Sequence, residues 1–213
     1  VTVTNHLKNF GISPLLHYLD IETTSTKITA AIASIGVTSV DVTTGDCVGQ
    51  FFTSCDISGQ VERTRDSDTM AFWHDRTKTS QEAYDLTFSA RTSLFDGLAE
   101  LACYLTDTEI MSGGGKIQIV GNGPEFDNSI IDHAYKQLNI STPWHFGGNQ
   151  SARTLTWIGR AAGLNTKYAD EFKGIKHHAL DDSMWEAHCG QIALNKACPL
   201  LFAPSRVYEN GRN

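Results

Sequence analysis

The chain has 213 residues, of which 40% are hydrophobic and 19% charged, and its formal charge is −7 at pH 7. These proportions fit one compact soluble domain. They exclude a membrane span, because no apolar run approaches the roughly 20 residues required, and a globally basic surface for polyanions. Five cysteines without a CxxC pair predict reduced thiols, a cytoplasmic setting and no zinc ribbon.

In chain order, residues 1–14 are polar, end at Pro14 and form an N-terminal extension lacking the charged and apolar regions of a signal peptide. Residues 15–213 form a single domain, with no internal repeat or linker. LLHYLDIET reads as a strand whose alternation puts Asp20 and Glu22 on one face. AAIASIGVTSVDV, the turn TTGD and CVGQFFTSCDI predict a strand, a turn and a returning strand. From Asp68 to Leu105 the apolar spacing becomes three and four, which predicts a helical layer that includes Phe72 and Trp73. A short strand at 117–120 follows the loop MSGGGK. FDNSIIDHAYKQLN then predicts a helix with Ile130, Ile131, Ala134, Tyr135 and Leu138 inward. TPWHFGGNQSARTLTWIGRAAGL reads as a loop and a helix, and a last helix runs from about His178 to Ala197. Strands first, then strand–helix alternation, imply an α/β fold with a mixed central β-sheet flanked by α-helices.

Asp127 spaces by three and four to Ile130, Ile131 and Ala134, and Asp182 to Trp185, Cys189 and Ile192, so each helix directs a carboxylate to its apolar stripe. Taken singly, these residues have ordinary roles: a solvated strand face for Asp20 and Glu22, a helix cap for Asp127, a first-turn acid for Asp182. Together, four acids directed inward raise one another's pKa values unless cations neutralise them. All-oxygen donors select Mg²⁺ or Mn²⁺. Two such ions about 4 Å apart clamp the attacking and leaving oxygens of a phosphoryl displacement. His177 beside them supplies a base that titrates near neutral pH.

The segments DIET, GNGPEFDN and HHALDD resemble, in order, the three exonuclease motifs of the DEDD superfamily, and the spacing of His177, Ala179 and Asp182 resembles its histidine branch, DEDDh. DTMAFWHDRTKTSQEA and ARTL are similar to segments of the family of phage exonuclease A and the mycobacterial-type 3′-to-5′ exoribonuclease, and the likeness runs from Leu16 to Leu194. The resemblance implies an RNase H-like exonuclease fold and metal-dependent release of nucleoside 5′-monophosphates from the 3′ end of RNA or DNA, in a bacterial or phage-infected cytoplasm. It makes Asp20, Glu22, Asp127 and Asp182 the ligands of two Mg²⁺ or Mn²⁺ ions and His177 the general base. It also implies a homodimer, although no interface signature is readable.

Asn122, Phe126, Arg153 and Trp73 are candidate substrate contacts, an aromatic face suiting a terminal base. Arg63 and Arg65 read as solvated surface. Two departures from the family stand out: His178 where asparagine is frequent, and Ser151 where an aspartate often precedes the arginine–threonine segment. A hydrolase of short oligonucleotides or small nucleotides, and a noncatalytic nucleic-acid binding module, are the rival readings.

Overall fold

The computed structural model describes residues 6–7, 9–90, 92–165 and 170–211, so the first five residues of the N-terminal extension lie outside it. Strands β1 (Leu15–Thr23), β2 (Ile32–Asp41) and β3 (Cys47–Ser54) pair antiparallel in sequence; β4 (Ile119–Gly121) joins β1 in parallel and β5 (Asn149–Ser151) joins β4 in parallel. The spatial order is β3-β2-β1-β4-β5. Helices α1 (Ser67–His74), α2 (Gln81–Phe88) and α3 (Leu94–Met111) precede β4; α4 (Asp127–Gln137), α5 (Ala152–Ala161), α6 (Ala179–Ala197) and the short α7 (Val207–Asn210) follow it. The mixed sheet with flanking helices is the expected architecture. Strand β5 and helix α7 were not expected: β5 is three polar residues, Asn-Gln-Ser, with no apolar alternation to announce it.

Local chemistry accounts for some of these bounds. Ser80 and Ser93 cap α2 and α3, their hydroxyls accepting from the Ala83 and Asp96 amides. Alternation along β1 feeds two cores. Leu19 and Ile21 pack with Ile35, Leu98, Leu101, Ile130 and Ile131 beneath α3 and α4. Tyr18 and Leu16 pack with Val120, Met184 and Ala187 beneath α6. Each fully buried aliphatic side chain is worth about 1.5–3 kcal/mol. Asp20 and Glu22 share the α6-side parity, near the carboxyl end of β1.

Two glycines let helices approach the sheet. Gly36 lies opposite Asp20, and a Cβ there would meet the Ala179 carbonyl carbon at 2.2 Å, so the first turn of α6 rests directly on β2. At Gly121, the last residue of β4, a Cβ would meet Asn128 Oδ1 at 2.4 Å, which seats the first turn of α4. Both helices carrying motif aspartates are thereby set at the carboxyl ends of the adjacent parallel strands β1 and β4, the usual crevice for ligands in open α/β sheets.

Leu138, at the C-cap of α4, packs against the core at partial burial, as expected. Two finer expectations need correction. Helix α6 is buried around several faces, and its fully covered acid is Asp181; Asp182 lies on a half-buried flank facing the strand ends. Arg63 is 6% exposed, donating from Nε to the Ala30 carbonyl at 2.7 Å and from Nη1 to Gln137 Oε1 at 2.8 Å, so it ties loops together rather than lying in solvent.

Candidate active site

The motif residues converge. Donor atoms of Glu22, His177 and Asp182 lie within 4.8 Å of one another, a geometry that could hold a metal ion. Asp127, the first residue of α4, is buried beside them, with Asp20 two residues before Glu22 on the same strand face. A register shift in the β1–β2 ladder between Glu22 and Thr23 turns the strand at this point, and the Thr23 carbonyl accepts from Trp73 Nε1 at 2.9 Å.

Electrostatics set this cluster apart from ordinary surface acids. Burial, then the charges of Glu22, Glu186, Asp127 and Asp182, pushes the Asp20 carboxyl well above the usual range. Burial, then Asp182 and Asp127, does the same to Glu22. Asp127 is pushed up to about 7 by burial, partly offset by backbone amides around it, and Asp182 to about 6, again by burial first. A group of acids held in this way binds protons, or cations in their place.

Glu186, one turn beyond Asp182, is a fifth member that the motif spacing did not single out. Burial and the charges of Asp127 and Asp182 raise its pKa, and its Oε2 is sealed from solvent without a hydrogen-bond partner. The signal was present in the sequence, since the step of four from Asp182 reaches Glu186 as readily as the step of three reaches Trp185.

His177 and His178 have separate roles. His177 sits at φ 65°, the left-handed region that residues with a Cβ rarely adopt. Its amide donates to Asp182 Oδ2 at 2.8 Å, and its ring stands edge-on to Phe72 at 5.2 Å and Trp73 at 6.3 Å. Burial, with Lys176 adding to it, lowers its pKa and favours the neutral imidazole. His178 turns back to the sheet, its ring 4.5 Å from Phe52 and its Nδ1 3.3 Å from Asp181 Oδ2. Asp181 also accepts from the Ile175 amide at 2.8 Å, bracing the loop that presents His177.

The remaining candidates fall into two clefts that meet at the cluster. One, about 350 Å³, is lined by Glu22, Phe72, Trp73 and Phe126, together with Asp68 and Thr69. Trp73 is 1% exposed and reaches it as an anchor. The other, about 580 Å³ between α5 and α6, is lined by Asp20, Asp182, Glu186, Asn122 and Arg153. Asn128, next to Asp127 in sequence, lines neither: it donates to the Ile119 carbonyl and Asn149 Oδ1. Ser151, in place of the family's aspartate, caps α5, its Oγ accepting from the Thr154 amide.

A mixed sheet with acids near the carboxyl end of β1 and in the first turns of α4 and α6, and a histidine before the last of them, is the arrangement expected of the DEDDh class. The chain matches the family model described as the 3′-5′ exoribonuclease Rv2179c-like domain over residues 17–194, and belongs to that family. A search of the curated proteins finds no match. Among solved structures, cell-death related nuclease 4 (CRN-4) superposes with a TM-score of 0.59 at 16% identity, covering 85% of this chain and 64% of that one. The nuclease domain of 3′hExo, a DEDDh family member bound to rAMP, gives 0.57 at 14% identity, covering 90% and 97%. E. coli exonuclease I in complex with a dA16 oligonucleotide gives 0.58 at 15%, covering 88% and 42%. At these identities the superpositions establish the shared fold. The chain spans less than two thirds of CRN-4 and less than half of exonuclease I.

Proposed function

We propose that the chain hydrolyses the last phosphodiester at the 3′ end of RNA or DNA and releases nucleoside 5′-monophosphates one at a time. The observation that carries this reading is the convergence of Glu22, His177 and Asp182 donor atoms within 4.8 Å, inside a cluster of buried acids. Asp20, Glu22, Asp127 and Asp182 would hold two Mg²⁺ or Mn²⁺ ions; their donors are all oxygen, and their raised pKa values are what an unneutralised hard-cation site should have. Such ions, when bound, polarise the phosphate and lower the pKa of the attacking water. His177, kept neutral by burial, takes the proton of that water at a ring nitrogen. Phe126 and Phe72 flank the terminal base, Trp73 holds the His177 ring by edge contact, and Arg153 and Asn122 face the phosphate from the second cleft.

RNA is named first because the family's description is that of an exoribonuclease. Among the described residues no helix is long and apolar enough to cross a membrane. Action in the cytoplasm of a bacterium or phage-infected cell belongs to the same reading, supported by a cysteine spacing that holds no CxxC pair. So does a homodimer, which sedimentation of the purified chain measures directly.

The test is a gel time course with matched RNA and DNA strands labelled at the 5′ end, each with Mg²⁺, Mn²⁺ or EDTA. The expected result is a metal-dependent ladder shortening from the 3′ end, RNA faster than DNA. If neither strand shortens with either metal, the proposal is wrong and small nucleotides or binding alone take its place.

A further inference from the structure

The two clefts share no lining residue and differ in kind. The smaller, reached from Glu22, is walled by aromatic side chains and, among the described residues, has no lysine or arginine in its lining. It suits a single nucleoside. The larger, reached from Asp20, is lined on its α5 side by Arg153, Thr156, Trp157 and Arg160. Steps of three and four put these four residues on one helix face. The eight residues from Arg153 to Arg160 extend about 10 Å along the axis, away from the strand ends.

In a chain with a net charge of −7, two arginines on one short helix face beside the cluster are a local feature, opposite in sign to the whole. Trp157 stands between them, 66% exposed, and among the described residues no aromatic ring packs on it. Arg153 Nη1 pairs with Glu125 Oε1 at 2.9 Å, but both side chains are about two-thirds exposed, so the pair is weak and readily exchanged for a phosphate. The inner end of the cleft is acidic, with Asp20, Asp182 and Glu186. A polyanion entering it therefore gains its attraction from the outer, arginine-bearing end.

We propose that the α5 face formed by Trp157 and Arg160, entered past Arg153, is the track for the single-stranded nucleotides immediately 5′ of the scissile phosphate. Arg160 meets a backbone phosphate and Trp157 stacks under an unpaired base, which makes the track tolerant of sequence. This rests on the exonuclease reading above and adds to it the path of the strand that is retained after each cleavage.

The test compares Trp157→Ala and Arg160→Glu with the unaltered chain on two substrates: a single strand of about twelve nucleotides, and the p-nitrophenyl ester of thymidine 5′-monophosphate, which has no nucleotide on the retained side. The expected result is a rise of about tenfold or more in KM on the long strand for each variant, with kcat/KM on the ester unchanged. Arg160→Ala should also flatten the dependence of log KM on log salt by about 0.7, the loss of one phosphate contact on a single strand. Unchanged KM on the long strand, or a parallel loss on the ester, overturns the track. If the unaltered chain hydrolyses neither substrate, the exonuclease reading itself fails and the track with it.

Discussion

On one face of β1, His17 is fully buried with both ring nitrogens engaged: Nδ1 lies 2.7 Å from Ser39 Oγ, and Nε2 lies 3.1 Å from Glu109 Oε1. Ser39 in turn meets the Tyr104 hydroxyl at 2.7 Å, leaving only Glu109 Oε2 without a partner. Three residues along, on the opposite face, Asp20 opens a series of acids whose neighbours are mostly other acids. The same strand thus buries ionisable groups in two ways. Where partners are supplied, the polar group holds elements of the fold together. Where they are withheld, the fold bears a repulsion that a ligand must relieve.

Substitutions on the two faces should separate these roles. Asp20→Asn should reduce hydrolysis by on the order of 10³-fold or more while raising the melting temperature in EDTA, because one repelling charge is removed; a fall in melting temperature would mean that Asp20 is structural. His177→Ala should lose about 10²-fold to 10³-fold in kcat, the usual share of a general base, and His178→Ala far less. The opposite order would move the base to His178. Glu109→Ala should act in the reverse sense, destabilising by about 3 kcal/mol through the broken buried pair, seen as an earlier midpoint in urea with hydrolysis retained below it. Loss of hydrolysis without loss of stability would join the two faces into one site.

A further effect is the dependence of stability on pH. Every acid of the cluster has a raised pKa in the folded chain. Between the ordinary carboxylate range near 4 and about 7, where Asp127 titrates, the folded state therefore holds protons that the unfolded chain has released. Stability in EDTA should fall as pH rises through that window, and saturating Mn²⁺ should flatten the slope. Glu186→Gln should reduce the slope in EDTA, and calorimetric titration should show Mn²⁺ binding weakened by about tenfold if this fifth acid orders the metal's surroundings. Identical slopes with and without metal would show that the cluster does not bind it.

The acids on β1 and at the head of α4 were legible because period-two alternation and a helix start are local properties of LLHYLDIET and FDNSIIDHA. The step of four from Asp182 offered Glu186, but spacing alone could not tell it, or the Trp157–Arg160 face, from a solvated position, because that depends on which flank of α6 and α5 turns to the strand ends. That is decided by contacts distant in sequence, such as Gly36 with Ala179. Strand β5 escaped for a different reason: it is polar and three residues long, and its place is set by pairing to β4.

The left-handed backbone at His177 has an evolutionary corollary. A residue with a Cβ in that region costs about 1–2 kcal/mol, which glycine would spare. At this position selection for stability and selection for hydrolysis therefore favour different amino acids. A descendant released from nuclease work would drift toward glycine or asparagine at 177, and one that stays active must recover the difference elsewhere, as the Asp182 carboxylate already does by accepting the His177 amide.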